Sequence, residues 1–126
     1  MIRPTDAEWA VLDVLWAAGA AGAAGAALGE VMDALRPVTG WSRNTVHTYL
    51  TRMENKGLVR IDRAAEPHRY HAAVTREQCA REARQGFLRT VYGGAAGDLV
   101  AAFLKENVLS PAERDRLRQL LDEMEV

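Results

Sequence analysis

The chain has 126 residues, 48% of them hydrophobic, and a formal net charge of −1. That length and apolar content suffice for one compact domain, or one small domain with an extension, and the near-neutral balance excludes a protein that coats nucleic acid or an anionic membrane through bulk charge. The single cysteine, Cys79, excludes an internal disulfide and the paired thiolates of a zinc or copper site, and it points to a reducing compartment.

The charge is unevenly spread. Residues 1–35 carry one basic residue against five acids, a local net of −4, whereas residues 36–69 carry seven basic residues against three acids, a local net of +4. The opening stretch MIRPTDAEWAVLD places acids where a signal peptide needs an apolar core. No apolar run approaches the roughly 20 residues needed to span a bilayer, so the expected location is cytoplasmic, without direct membrane association.

The first helix is predicted to start at Thr5, where TDAE has the form of a capping box: the Thr5 hydroxyl accepts an orphan backbone N–H and Glu8 reaches back. Val11, Leu12, Leu15 and Trp16 form one apolar stripe, and Gly19 is expected to stop the helix. The Ala/Gly tract that follows reads as a connection with room for one short extended stretch. Leu28, Val31, Met32 and Leu35 mark a second helix, which Pro37 is expected to end.

GWSRNTVHTYLTRMENKGLV, residues 40–59, predicts the third helix, with Ser42 as N-cap and Gly57 as the C-terminal stop. Val46, Tyr49, Leu50 and Met53 stand at i, i+3, i+4 and i+7 and share the buried face. Asn44, His47, Thr48, Thr51, Arg52 and Asn55 must then look outward, with Arg43 beside them at the helix start. These side chains hydrogen-bond to base edges and phosphates. The only acid in the helix, Glu54, falls at its flank near the C-terminal end.

The period then changes. LVRIDR (58–63) alternates as a strand, AAEPH (64–68) supplies a turn, and RYHAAV (69–74) returns as a second strand. Three helices followed by a two-stranded ribbon is the order of a winged helix-turn-helix, in which the third helix enters the major groove and the ribbon lies across phosphates. Arg60, Arg63, His68 and Arg69 supply positive charge to that wing.

The remainder reads as three helices. Thr75 caps the first, with Gln78 as its capping-box partner, and YGG (92–94) breaks it. Its apolar side holds Phe87, Leu88, Val91 and Tyr92. The second contains Leu99, Val100, Phe103 and Leu104, and the third opens on Ser110, Pro111 and Glu113 with the stripe Leu117, Leu120, Leu121 and Met124. Three short amphipathic helices have little core of their own, and a twofold homodimer would cover them while presenting two reading helices to two half-sites. The fold class is therefore mainly α with a small β-hairpin: a winged-helix DNA-binding domain over residues 1–74 and a helical dimerisation region over residues 75–126.

The order Thr5, Glu8, Leu15-Trp16, Glu30-Val31, Leu35, Trp41, Thr45-Val46, Thr48, Leu50, Arg52, Lys56-Gly57-Leu58 and Tyr70 resembles the penicillinase-repressor family, the BlaI, MecI and CopY type. Phe87, Tyr92-Gly93-Gly94, Leu99-Val100, Phe103 and Leu117 extend the resemblance over almost the whole chain. It implies a homodimeric transcriptional repressor that binds double-stranded inverted-repeat operators, often at β-lactamase or penicillin-binding-protein genes. It also implies relief by a membrane sensor metalloprotease that cuts just before the phenylalanine matching Phe103. Ala102 stands there in place of the polar residue of the best-known members. The paired C-terminal cysteines of the copper-responsive branch are missing, which excludes copper sensing by that route.

The reading surface expected from all this comprises Ser42, Arg43, Asn44, Thr45, His47 and Thr48 with Thr51, while Arg52, Arg63 and Arg69 hold phosphates. Trp41 reads as packing, and Cys79 as a small buried hydrophobe. His47, His68 and His71 fall on a helix, a turn and a strand without a carboxylate or cysteine at ligand spacing, so no metal and no cofactor is expected. No phosphate loop, carboxylate pair or activated nucleophile suggests an enzyme. Two other readings remain at this stage: a winged helix that docks protein, which would carry apolar or acidic residues on helix three and the wing, and a DNA-binding winged helix with a small-molecule inducer.

Overall fold

The computed structural model describes residues 3–22 and 24–124; Ala23, within the Ala/Gly tract, lies outside them. The elements run α1 (Asp6–Ala20), α2 (Leu28–Thr39), α3 (Arg43–Asn55), β1 (Val59–Asp62), β2 (Arg69–Ala72), α4 (Arg76–Tyr92), α5 (Ala96–Lys105) and α6 (Pro111–Glu123). They form two compact units, Met1–Ala83 and Arg84–Val126, divided within α4. Among the described residues no helix is long and apolar enough to cross a membrane.

In the first unit the predicted stripes converge. Val11, Leu12 and Leu15 of α1, Val31 and Leu35 of α2, and Val46, Leu50 and Met53 of α3 are buried together with Leu58, Val59, Tyr70 and Cys79. β1 and β2 pair antiparallel, with Val59 opposite Ala72 and Asp62 opposite Arg69. The extended stretch expected in the Ala/Gly tract is Ala26, which exchanges two backbone hydrogen bonds with Tyr70 (3.0 and 2.8 Å) and so adds one residue of third strand to the ribbon. Gly25 makes that approach possible. Its φ is +85°, and a Cβ there would stand 2.7 Å from the His71 ring.

Cys79 belongs to this core, which carries the first unit past the hairpin into the opening turns of α4. Two further contacts fasten that segment to α1. Trp16 Nε1 donates to the Val74 carbonyl at 2.9 Å, and Arg76 pairs with Asp13 while its guanidinium lies 5.6 Å from the ring centroids of both Trp9 and Trp16. The Thr75–Gln78 capping box is formed as read, with bonds of 2.8 and 3.0 Å.

Two helix ends differ from expectation. Helix α1 runs through Gly19 to Ala20, because one glycine costs only about 1 kcal/mol in a helix otherwise rich in good formers and anchored by Val11, Leu12 and Leu15. Helix α2 runs through Pro37 to Thr39 and is ended by Gly40, whose φ is 64° and whose N–H donates to Arg36. A proline in the exposed last turn forfeits only its own N–H bond, and the left-handed glycine supplies the actual stop.

In the second unit the YGG break after α4 and the opening of α6 are formed as read. Gly93 and Gly94 take positive φ after α4, with the Gly94 N–H on the Leu88 carbonyl at 3.0 Å. Asn107, at φ 60°, follows α5. Ser110 and Glu113 close a capping box around Pro111 at the start of α6. Neither α5 nor α6 contains a buried residue.

Glu8 is the one buried charged side chain among the described residues. Its carboxylate accepts the Thr5 N–H at 2.9 Å and, through both oxygens, the Lys56 ammonium at 2.7 and 2.9 Å. Burial opposes its charge, but the Lys56 and Thr5 bonds outweigh that, and its carboxyl is held below the usual glutamate range. A lowered folded-state pKa contributes stability that is fully present above the unfolded value and is lost as pH falls through the folded one. Because Lys56 is half-exposed, a Glu8→Gln variant is expected to lose about 1–2 kcal/mol at pH 7. The gap to the parent should narrow as pH drops below about 4. Denaturant titrations at pH 7 and 3.5 measure both, and a gap independent of pH would contradict this account of Glu8.

Candidate nucleic-acid interface

Helix α3 is set by local chemistry at both ends. Ser42 Oγ accepts the Thr45 N–H at 3.3 Å. At the other end Gly57 takes φ 80°, its N–H bonds the Glu54 carbonyl at 3.0 Å, and the Leu58 N–H bonds the Met53 carbonyl at 2.9 Å, which is a Schellman closure. Leu58 is thereby turned into the core as the chain enters β1.

The face opposite Val46, Leu50 and Met53 is solvent-exposed. Arg43, Asn44, His47, Thr48, Arg52 and Asn55 are exposed on it, while Thr45 and Thr51 are half-buried. Arg43 and Arg52 make no ion pair among the described residues, and no acid interrupts the exposed series. Thr48 and Thr51 donate their hydroxyls to the carbonyls of Asn44 and His47, at 2.9 and 3.0 Å. With its hydrogen committed, each threonine presents outward a methyl group and an acceptor oxygen. Trp41 does not face outward as a free ring: it stacks on Tyr49 with centroids 4.4 Å apart and planes 5° from parallel.

The start of α3 and the turn of the ribbon border one depression of about 230 Å³, lined by Leu28, Arg43, His47, Pro67, His68 and Tyr70. His47 and His68 both line it, whereas His71 lies against Gly25. No group of three or more His, Cys, Asp or Glu capable of holding a metal occurs among the described residues.

Two of the ribbon's three arginines are bound to the helices, while Arg60 is exposed on β1. Arg63 forms a two-pronged pair with Glu54 of α3 at 2.7 and 2.8 Å, and Arg69 meets Glu30 of α2 at 3.0 Å. Glu30 also accepts the Ala27 N–H at 3.0 Å, so one carboxylate caps α2 and holds the start of β2. The Arg63 hydrogen bonds and charge pull the half-buried Glu54 carboxyl below its ordinary range. Sequence reading assigned Arg63 and Arg69 to phosphates and overlooked these carboxylate partners. Their spacings of 9 and 39 residues give no local signal.

Three helices, a hairpin and the short Ala26 strand define a winged helix-turn-helix, with α3 in the recognition position. The chain belongs to the penicillinase repressor family, a family of transcriptional repressors, whose sequence pattern it matches over residues 4–123. It is 25% identical to the methicillin resistance regulatory protein MecI of Mammaliicoccus sciuri over 94% of this chain and 92% of that one. The penicillinase repressor of Bacillus licheniformis is 27% identical over 94% of this chain and 89% of its own length. For the penicillinase repressor of Staphylococcus aureus the figures are 24%, 94% and 90%.

Since Leu50 is fully buried at the centre of the inward stripe, Leu50→Ala should lower stability by about 2–5 kcal/mol. A shift of the denaturation midpoint below about 1 kcal/mol would mean that α3 does not depend on this contact for its orientation.

Proposed function

We propose that the protein is a homodimeric, sequence-specific repressor that binds an inverted-repeat operator in double-stranded DNA. The observation that carries this reading is the exposed face of α3: Arg43, Asn44, His47, Thr48 and Arg52 in one series, with no acid among them. Arg43, Asn44, Thr45, His47 and Thr48 enter the major groove, with Ser42 at the helix start and Thr51 further along. Arg52 engages phosphate directly, and Arg63 and Arg69 do so when phosphate replaces their carboxylate partners. The absence of exposed apolar or acidic residues on this face disfavours a protein-docking winged helix.

Pairing uses residues 75–126. Among the described residues, every large apolar side chain left exposed apart from Val38 lies between Phe87 and Met124. Phe87, Val91, Val100, Phe103, Leu104, Leu120, Leu121 and Met124 are exposed, and Leu88, Leu99 and Leu117 are half-buried. A monomer rarely leaves so many large apolar side chains of one region in water, and a second copy covers them symmetrically. Two copies on two half-sites occlude the promoter. In line with the names of its relatives, the regulated genes are antibiotic-response genes. The family resemblance adds a membrane sensor protease that relieves repression by cutting between Ala102 and Phe103 in α5.

Selection of bound fragments from random DNA tests the central reading, with one enriched inverted repeat as the expected product. On that operator, Asn44→Ala or His47→Ala should lose about 1–3 kcal/mol of base discrimination. Arg52→Ala should weaken binding to all sequences and flatten the dependence of log K on log salt by about 1. If all three variants bound as the parent does, α3 would not be the reader. Equilibrium sedimentation at micromolar concentration should give the mass of a dimer, and a monomer there refutes pairing through residues 75–126.

A further inference from the structure

We propose that Glu54 limits sequence-independent DNA binding by occupying the Arg63 guanidinium as an internal substitute for phosphate. The proposal rests on the DNA-binding reading of α3 and the ribbon. Three observations support it. Glu54 is the only acid in α3, and it lies on the flank that faces the ribbon rather than among Asn44, His47 and Thr48. Its two oxygens take the two terminal nitrogens of Arg63 at 2.7 and 2.8 Å, the parallel two-bond geometry with which a guanidinium also grips phosphate. The pair sits at the edge of the surface, with the Arg63 side chain 55% and the Glu54 side chain 27% exposed, so phosphate can reach the guanidinium without opening the core.

The pairing changes how the charge of the ribbon acts. An arginine already neutralised by a carboxylate releases no counterion from DNA until the carboxylate leaves, and its departure leaves an anion beside the phosphates. Arg63 therefore contributes less to binding arbitrary duplex than a free arginine at the same place. Arg43 and Arg52, which have no such partner among the described residues, supply the sequence-independent attraction. On the other side of the turn Glu30 holds Arg69, but it is also the cap of α2, so Glu54 is the cleaner case.

The test measures binding of the full chain to a random-sequence duplex between 50 and 200 mM salt. Glu54→Gln removes the charge and keeps the shape. It should bind more tightly than the parent and lose about threefold more affinity across that salt range for each protomer engaged, the equivalent of one added phosphate contact. Glu54→Ala, which cannot bond Arg63 at all, should move in the same direction. The loss caused by Arg63→Ala should be larger in the Glu54→Gln background than in the parent, because only there is Arg63 free to contribute. Equal losses in both backgrounds would reduce Glu54 to bulk charge and overturn the proposal. So would weaker binding by Glu54→Gln, which would make Glu54 a support for Arg63. If the parent and every variant fail to bind any duplex, the DNA-binding reading itself falls and takes this inference with it. Binding by the parent with no gain in Glu54→Gln removes the inference alone.

Discussion

A carboxylate with almost no access to water receives both hydrogen bonds of the Lys56 ammonium, and through it the end of α3 is tied to the beginning of α1. The position of the recognition helix depends on that tie. Apolar packing through Val46, Leu50 and Met53 determines which face of α3 points inward, but packing is non-directional and tolerates sliding along the helix axis. A charged pair with defined donors does not. Glu8 also caps α1 at Thr5, so the geometry at the start of one helix and the end of another is set by a single side chain.

The ribbon is held by the same means. The residues on either side of its turn are strapped to different helices, Arg63 to α3 and Arg69 to α2, and Ala26 pairs with Tyr70 alongside β2. A two-stranded hairpin alone is only marginally stable in water. Both sides of the turn thus have an anchor in the helix-turn-helix, and α3 and the ribbon keep a fixed mutual geometry.

Much of this unit was legible in the sequence because its signals are local. The Thr5, Thr75 and Ser110 capping boxes, the Ser42 cap, the Gly57 stop and the inward stripe of α3 each depend on residues within one or two turns. The strand alternation of residues 58–63 and 69–74 likewise announced the hairpin. What escaped was long-range or cumulative. Glu8 was readable as a cap but not as the partner of a lysine 48 residues away. The carboxylates on Arg63 and Arg69 were hidden because charge counting treats every surface arginine as available. Gly19 and Pro37 were overrated as stops: each weighs about one local interaction against a helix whose register the core had already settled. In the distal half the apolar stripes were visible, yet a single chain cannot say what covers them.

The uncovered stripes of α5 and α6 bear on how such a repressor responds to its own abundance. Under the dimeric reading, the distal half completes its core only in company, so association and the integrity of that half form one equilibrium that depends on protomer concentration. Operator occupancy then rises more steeply than in proportion to the number of chains per cell. Halving the gene dose, or removing a fraction of intact tails, would release the promoter disproportionately. A gene circuit built on this protein acquires a threshold from its packing alone, without any cooperative contact between neighbouring operators.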